Sequence, residues 1–396
     1  MLMKINVSFQ NFKKNHIKKK SQVVYAEKRC LDYAKIENLY NLILSKKNSF
    51  IFESVEKGKV RGRYTIIGYN PDKIWDFKKN KLKISYNNKV KILKVKPLKY
   101  INNLTKNFNL NLPKKIPSMS SMLVGYFSYD IIRYIEKIPD SCKDDLKIPD
   151  IRILRPKNLV IYDNLKKRIF YLHNVFSDNK ILNYYEEYEK IKNEFSLLSF
   201  YEEIKLPKKF TFKNNKNKIK SNISKKQFKN KVLKAKKHIK KGDVFQVVLS
   251  QRFERKIEKK PIEIYNYLRK SNPSPFMFYF NFKDFKILGS SPEILVRLRN
   301  NLITIRPIAG TRPRGKNTKQ DQKFKNELIK DKKELAEHLM LLDLGRNDVG
   351  KISKINTVKV TDSFKIEKYS HVMHIVSNVI GKFNNKVSSF EALLAG

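Results

Sequence analysis

Two glutamates three residues apart, Glu334 and Glu337, raise the first question of chemistry. On a helix that spacing places both side chains on one face, so two carboxylates point together. Such a pair serves as a solvated face among lysines, as part of a di-iron bundle, or as part of a magnesium site. A di-iron bundle wants Glu-x-x-His, and here His338 follows Glu337 directly, so that motif is absent. Magnesium takes one or two carboxylates and leaves its other positions to water and anionic ligand oxygens. Upstream runs IRPIAGTRPRG, Ile305 to Gly315, in which Gly310 and Gly315 open backbone angles closed to other residues while Pro307 and Pro313 fix φ. A loop shaped in this way brings backbone groups close to a ligand.

The elements that must hold these residues are legible in outline. From Asp331 onward Leu335, Leu339 and Leu342 recur at helical spacing and predict an apolar stripe, with Glu334, Glu337 and Leu341 on another face. Ser224 is the expected N-cap of an earlier helix carrying Phe228, Val232, Ala235 and Ile239, and Gly242 its end. The β-branched run Gly242 to Phe253 predicts a strand. Ile287 to Leu298 reads as strand, tight turn and strand, with Glu293 just past Pro292. In the first half, Phe50 to Pro71 reads as two strands around a Gly-bearing loop, and Ser121 to Pro139 as strand into helix.

At 396 residues the chain is long for one domain and suggests two. The polar run 208–222, opening at Pro207, is the expected linker, which gives domains 1–206 and 223–396 on either side of 207–222. Lys and Arg number 86 against 37 Asp and Glu, a net charge of +49. A basic stripe would indicate nucleic acid, but these lysines are spread along the whole chain, so no specific nucleic-acid function is read from them. Their companions Asn, Ile, Phe and Tyr share AT-rich codons, and the charge is read as the mark of a biased genome. Only Cys30 and Cys142 are present, too few for a disulfide framework or a zinc site. No apolar run reaches the length of a membrane span and no signal-peptide core opens the chain, so a cytoplasmic protein without a membrane anchor is expected.

Three of these stretches, PIAGTRPRG, KELAEHLMLLDLGRND and KYSHVMHIVSNVIG, are similar to the chorismate-binding domain of the anthranilate synthase component I family. The resemblance implies an α+β fold, with an antiparallel β-sandwich core flanked by helices. It implies that chorismate and ammonia give anthranilate and pyruvate, the first step of tryptophan biosynthesis. Glu334 and Glu337 would then hold Mg²⁺. Glu293 would be the general acid at the departing ring hydroxyl, and His374, the second histidine of HVMH, the catalytic histidine. Thr311 would hydrogen-bond the substrate, with the backbone around Ala309 and Gly310 contacting its carboxylate.

Two positions distinguish activities within the wider family. Relatives that add water carry a lysine base where this chain has Gln246, and ammonia-using members carry Gln. Aminodeoxychorismate synthases read PIKGT, with a lysine able to attack the ring, where this chain has Ala309. An inhibitor site for tryptophan is implied by Glu53 and Ser54 together with Pro275, Phe276 and Met277 of NPSPFMFYF, where Phe276 replaces the usual Tyr. Neither cysteine lies in a glycine-rich nucleophile turn, so a separate glutamine amidotransferase subunit would supply the ammonia, in a hetero-oligomer.

The family pattern also runs on beyond FEALLAG into a Gly-rich segment, Tyr and Arg substrate ligands and a second Glu-x-x-Glu helix. The catalytic domain is therefore expected to lack its C-terminal part and to expose apolar surface. A truncated, non-catalytic regulatory or binding subunit is the alternative from a different class, and an aminodeoxychorismate synthase-like enzyme the alternative within the family.

Overall fold

A computed structural model describes residues 3–55, 62–108, 110, 112–201, 203 and 218–395. By internal contact the chain divides into two compact units, 1–206 with 265–396, and 207–264.

Branched and aromatic residues, which pack well on a pleated surface, dominate the strands of the first half. These are β1 (Gln22–Arg29), β2 (Ser49–Glu53), β3 (Tyr64–Lys78), β4 (Lys81–Tyr86), β5 (Lys89–Lys94), β6 (Val124–Phe127), β7 (Ile151–Asp163) and β8 (Arg168–Val175). Four helices accompany them: α1 (Phe9–Ile17), α2 (Tyr33–Ile43), α3 (Pro97–Asn107) and α4 (Tyr184–Tyr201). Within Phe50 to Pro71 the structure places β2 and the start of β3, which runs on past a bulge at Pro71 to Lys78. The helix expected before Pro139 is only a short 3₁₀ segment, Tyr129–Tyr134.

The smaller unit holds β9 (Lys220–Ser221), α5 (Lys225–Lys241) and β10 (Phe253–Glu254), and α6 (Pro261–Ser271) leads from it into the larger one. The larger unit continues with β11 (Phe276–Asn281), β12 (Lys286–Ser291), β13 (Arg297–Arg299), β14 (Leu302–Ile305) and β15 (Ile308–Pro313). It ends with α7 (Thr318–Lys330), α8 (Lys332–Ile352), β16 (Lys359–Lys368), β17 (Val372–Lys382) and α9 (Ser389–Ala395).

One ten-stranded sheet has the order β1-β8-β7-β3-β2-β11-β12, with β4 and β5 continuing from β3 and β6 on β7. β7 is buried along almost its whole length, as a central strand covered on both faces must be. β11 comes from beyond the expected 207–222 boundary yet pairs with β2, setting Met277 opposite Glu53. A five-stranded sheet, β13-β14-β17-β15 with β16 also on β17, carries α8 on its face. Every pairing in both sheets is antiparallel, and with the helices this makes an α+β fold.

Two local expectations are corrected. The buried face of α8 is His338, Leu342, Gly345, Val349 and Ile352, whereas Leu339 is half exposed. The stripe is rotated because its centre is a buried imidazole: His338 Nε2 lies 2.7 Å from Ser377 Oγ on β17. Apolar periodicity gives no weight to a histidine. The strand expected over Gly242 to Phe253 is not formed. α5 has the capping box of Ser224 and Gln227 and ends at Gly242 with φ +78°, but residues 243–252 are irregular and only Phe253 and Glu254 pair, with Ser221 and Lys220. Strand propensity needs a neighbour to pair with, and among the described residues of this unit none runs alongside 243–252. Phe245 (93 %) and Val248 (86 %) stand exposed.

Candidate active site

β15 and β17 build the site between them. Gly310 adopts φ +69°, a left-handed angle that favours glycine, and the ladder slips by one residue there, between Ala309, opposite Ile375, and Thr311, opposite His374. The slip turns the Gly310 carbonyl toward His374: Nδ1 lies 3.1 Å from Gly310 O and 3.1 Å from Thr311 Oγ1. A carbonyl only accepts, so Nδ1 carries the proton and Nε2 of the neutral ring keeps its lone pair for a base's work. Tyr369 packs its ring edge-on against the same imidazole, with centroids 5.5 Å apart.

α8 supplies the carboxylates. Asp331 caps it, accepting from the Lys333 and Glu334 backbone N–H groups at 3.0 and 3.2 Å, and this fixes where the first turn begins. Those backbone bonds, and then Arg312, hold the Asp331 carboxyl below its ordinary range. Arg312 donates to Asp331 Oδ2 at 2.6 Å and lies 3.4 Å from Glu334 Oε1. Glu334 faces the bare backbone of β15: a Cβ added at Gly310 would come within 3.2 Å of Glu334 Oε2. Glu337 is half-buried one turn along. No cluster of three or more His, Cys, Asp or Glu that could hold a metal occurs among the described residues. Two carboxylates on one helix face fit a Mg²⁺ whose remaining positions come from water and a ligand. His338, between them and β17, is kept below its ordinary pKa by burial, and its bond to Ser377 ties α8 to the strand bearing His374.

Glu293 lies on the turn after β12, where Ser291 Oγ accepts its N–H at 3.3 Å. The residue is exposed as a whole, yet partial burial of the carboxyl raises its pKa above the ordinary value. Gln246 belongs to the smaller unit, in its irregular stretch after α5. The contacts thus bring together Gly310, Thr311, His374 and Glu334, with Ala309 and Glu337 beside them in the chain. Among the described residues no hydrogen bond joins Glu293 to this group.

The residues expected to take an inhibitor do converge. Glu53 is 4 % exposed and opposite Met277, which is 1 % exposed. The Val55 N–H donates to Ser274 O at 3.2 Å, which lays Ser54 beside the Ser274–Pro275 step. Ser54 Oγ is buried and has no hydrogen-bond partner among the described residues. Pro275 is buried, while Phe276 is 43 % exposed. Glu53 itself accepts from Tyr33 at 2.7 Å and from Tyr265 at 2.6 Å, and lies 2.8 Å from Arg269 Nε. Burial, then the Glu53 charge, push both phenols well above their usual range, so they remain donors. Burial works against the Arg269 charge, but Glu53 outweighs it and the guanidinium pKa is raised.

Sequence reading missed Tyr33, Tyr265, Arg269, Arg312 and Asp331 as parts of these sites. Arg312 lies inside the PIAGTRPRG run and Asp331 begins the helical pattern, so both could have been found. Tyr265 lies 212 residues from Glu53, and no local signal joins them.

Comparison with known proteins follows the same lines. The model of the chorismate binding enzyme family matches residues 47–395. Anthranilate synthase component 1 of Cereibacter sphaeroides is 38 % identical over 397 aligned positions, covering 98 % of this chain and 79 % of that protein. The protein of the same name from Acetivibrio thermocellus is 40 % identical over 352 positions, 87 % of this chain and 71 % of its own length. Among solved structures, anthranilate synthase component I from Streptococcus pneumoniae superposes with a TM-score of 0.73 at 28 % identity, covering 86 % of this chain and 73 % of that one.

Proposed function

This chain belongs to the chorismate binding enzyme family, and we propose that it is the large subunit of an anthranilate synthase, converting chorismate and ammonia to anthranilate, pyruvate and water. The observation that carries the reading is the His374 imidazole, whose Nδ1–H is committed to the Gly310 carbonyl while Glu334 stands across the same bare backbone. That arrangement offers a base in a fixed tautomer beside a carboxylate face suited to a cation and a dianionic substrate.

Thr311 and the backbone at Gly310 orient the substrate, and Ala309 offers no nucleophile, so ammonia itself forms the new C–N bond at ring C2. Glu293, with its raised pKa, gives a proton to the C4 hydroxyl as it leaves as water. His374 then removes the ring proton as pyruvate departs and the ring becomes aromatic. Glu334 and Glu337 would hold Mg²⁺, which supplies charge neutralisation and a template for the substrate carboxylate. Gln246 marks the ammonia-using branch of the family. A glutamine amidotransferase partner in a hetero-oligomer supplies the ammonia, and the Glu53, Ser54, Pro275, Phe276 and Met277 pocket binds tryptophan as feedback inhibitor. Among the described residues no helix is long and apolar enough to cross a membrane, and Cys30 and Cys142 are both free thiols, which supports a cytoplasmic location.

Anthranilate fluorescence tests the reading with purified chain, chorismate, Mg²⁺ and an ammonium salt at alkaline pH. We expect a magnesium-dependent signal that His374→Ala lowers by about 10²–10⁴-fold. A wild-type signal left intact by that substitution overturns the assignment of His374, and no signal at all favours the non-catalytic alternative.

A further inference from the structure

Residues 369–371 turn the chain from β16 into β17, and they are gripped from two sides. From the end of β15, the Arg314 N–H donates to His371 O at 3.0 Å, and the Arg314 guanidinium donates to Tyr369 O at 2.7 Å. Asp321 in α7 clamps that guanidinium, accepting at 2.7–3.1 Å, and takes the Gly315 N–H at 2.6 Å. The packing there is tight, since a Cβ at Gly315 would come within 2.3 Å of the Asp321 nitrogen. From the other side, His371 Nε2 lies 2.8 Å from the carbonyl oxygen of Ser271. A carbonyl only accepts, so His371 is the donor.

Ser271 is the last residue of α6, and its carbonyl is among the last four, which find no partner inside a helix. His371 therefore caps α6 from a turn a hundred residues away. The same helix carries Tyr265 and Arg269, which hold Glu53. On the far side of the turn, Tyr369 packs on His374. A continuous set of contacts within one unit thus joins the Glu53 pocket, through α6, Ser271 O and His371, to the hairpin that aims His374.

We propose that His371 is a positioning residue that ties this hairpin to α6, so that the aim of His374 depends on what occupies the Glu53 pocket. The inference rests on the functional reading above, which supplies the roles of the two ends. His371 is exposed and its side chain makes one directed bond, so its removal leaves no buried cavity and acts through geometry.

The test uses the full chain with His371→Ala and His371→Gln, measuring ammonium-dependent anthranilate formation against chorismate and tryptophan, tryptophan binding by calorimetry, and thermal unfolding. We expect His371→Ala to lower kcat several-fold at nearly unchanged KM for chorismate, and to raise the tryptophan concentration for half-inhibition about fivefold or more. His371→Gln, whose amide N–H reaches the same carbonyl, should recover most of both. Wild-type kcat and inhibition in His371→Ala overturn the inference while leaving the functional reading in place. A large fall in Tm that His371→Gln does not repair also overturns it, in favour of a purely structural role. A wild-type chain that neither turns over chorismate nor binds tryptophan overturns the functional reading and this inference with it.

Discussion

Glu53 and Glu334 are both carboxylates beside an arginine in the same unit, and they are built for opposite ends. Glu53 is closed in, gripped by two phenols and Arg269 and almost out of contact with water. Glu334 keeps a looser contact to Arg312 at 3.4 Å and about a fifth of its side chain in solvent. A buried, fully partnered charge is held as a unit, because any partner removed leaves another stranded in a poor solvent for charge. A partly exposed carboxylate exchanges its partner for a ligand at little cost. On the function proposed above, one pocket is therefore organised before anything binds, and the other is left to take a cation and substrate.

Breaking the closed pocket should have the largest effect on the fold. Glu53→Ala strands the buried Tyr265 hydroxyl and leaves Arg269 with Glu37 alone and Tyr33 with Thr65, and we expect a loss of about 3–5 kcal/mol in urea unfolding. A loss under about 1 kcal/mol would show that the cluster does not act as a unit. In the open pocket the expected effect is on binding. Glu334→Ala should leave stability within about 1 kcal/mol, since the ion pair it removes is partly exposed. It should raise the Mg²⁺ concentration for half-maximal activity about tenfold or more, equivalent to about 1.4 kcal/mol. An unchanged magnesium requirement would remove Glu334 from the cation site.

The smallest effect concerns Glu293, whose raised pKa comes from burial. A carboxyl with a raised folded-state pKa adds stability below its unfolded value of about 4.3, and loses it as pH rises through the folded value. The wild-type chain should therefore lose stability relative to Glu293→Gln across that window, measured as the difference in Tm. Parallel curves would mean that Glu293 is as solvated as an ordinary surface carboxylate.

What could be read in advance was local. The Ser224 cap, the Gly242 end of α5, the Asp331 start of α8 and the left-handed Gly310 depend on neighbours within a few residues, and each stands where turn and capping chemistry puts it. The grouping of Gly310, Thr311 and His374 followed from long contiguous motifs. Two failures share a cause in packing. Residues 243–252 have strand composition but, among the described residues, no strand alongside, and Leu339 has helical spacing but lies off the face that His338 turns toward β17. The partners of Glu53 were out of reach because Tyr33 lies on α2 and Tyr265 and Arg269 lie on α6, more than 200 residues on, where no local pattern points to Glu53.

The pairing of β2 with β11 sets a clock on synthesis. Glu53 leaves the ribosome 212 residues ahead of Tyr265, a gap of roughly 10–40 s at ordinary elongation rates of about 5–20 residues per second. Through that interval β2 has β3 on one side and a bare edge of N–H and C=O groups on the other, the kind of edge that recruits strands from other chains. The nascent chain must therefore be shielded, or remain loosely collapsed, until Phe276 to Asn281 emerges to cover it. Crowding of many such chains on one message would favour aggregation over folding, and slower translation would lengthen the exposure.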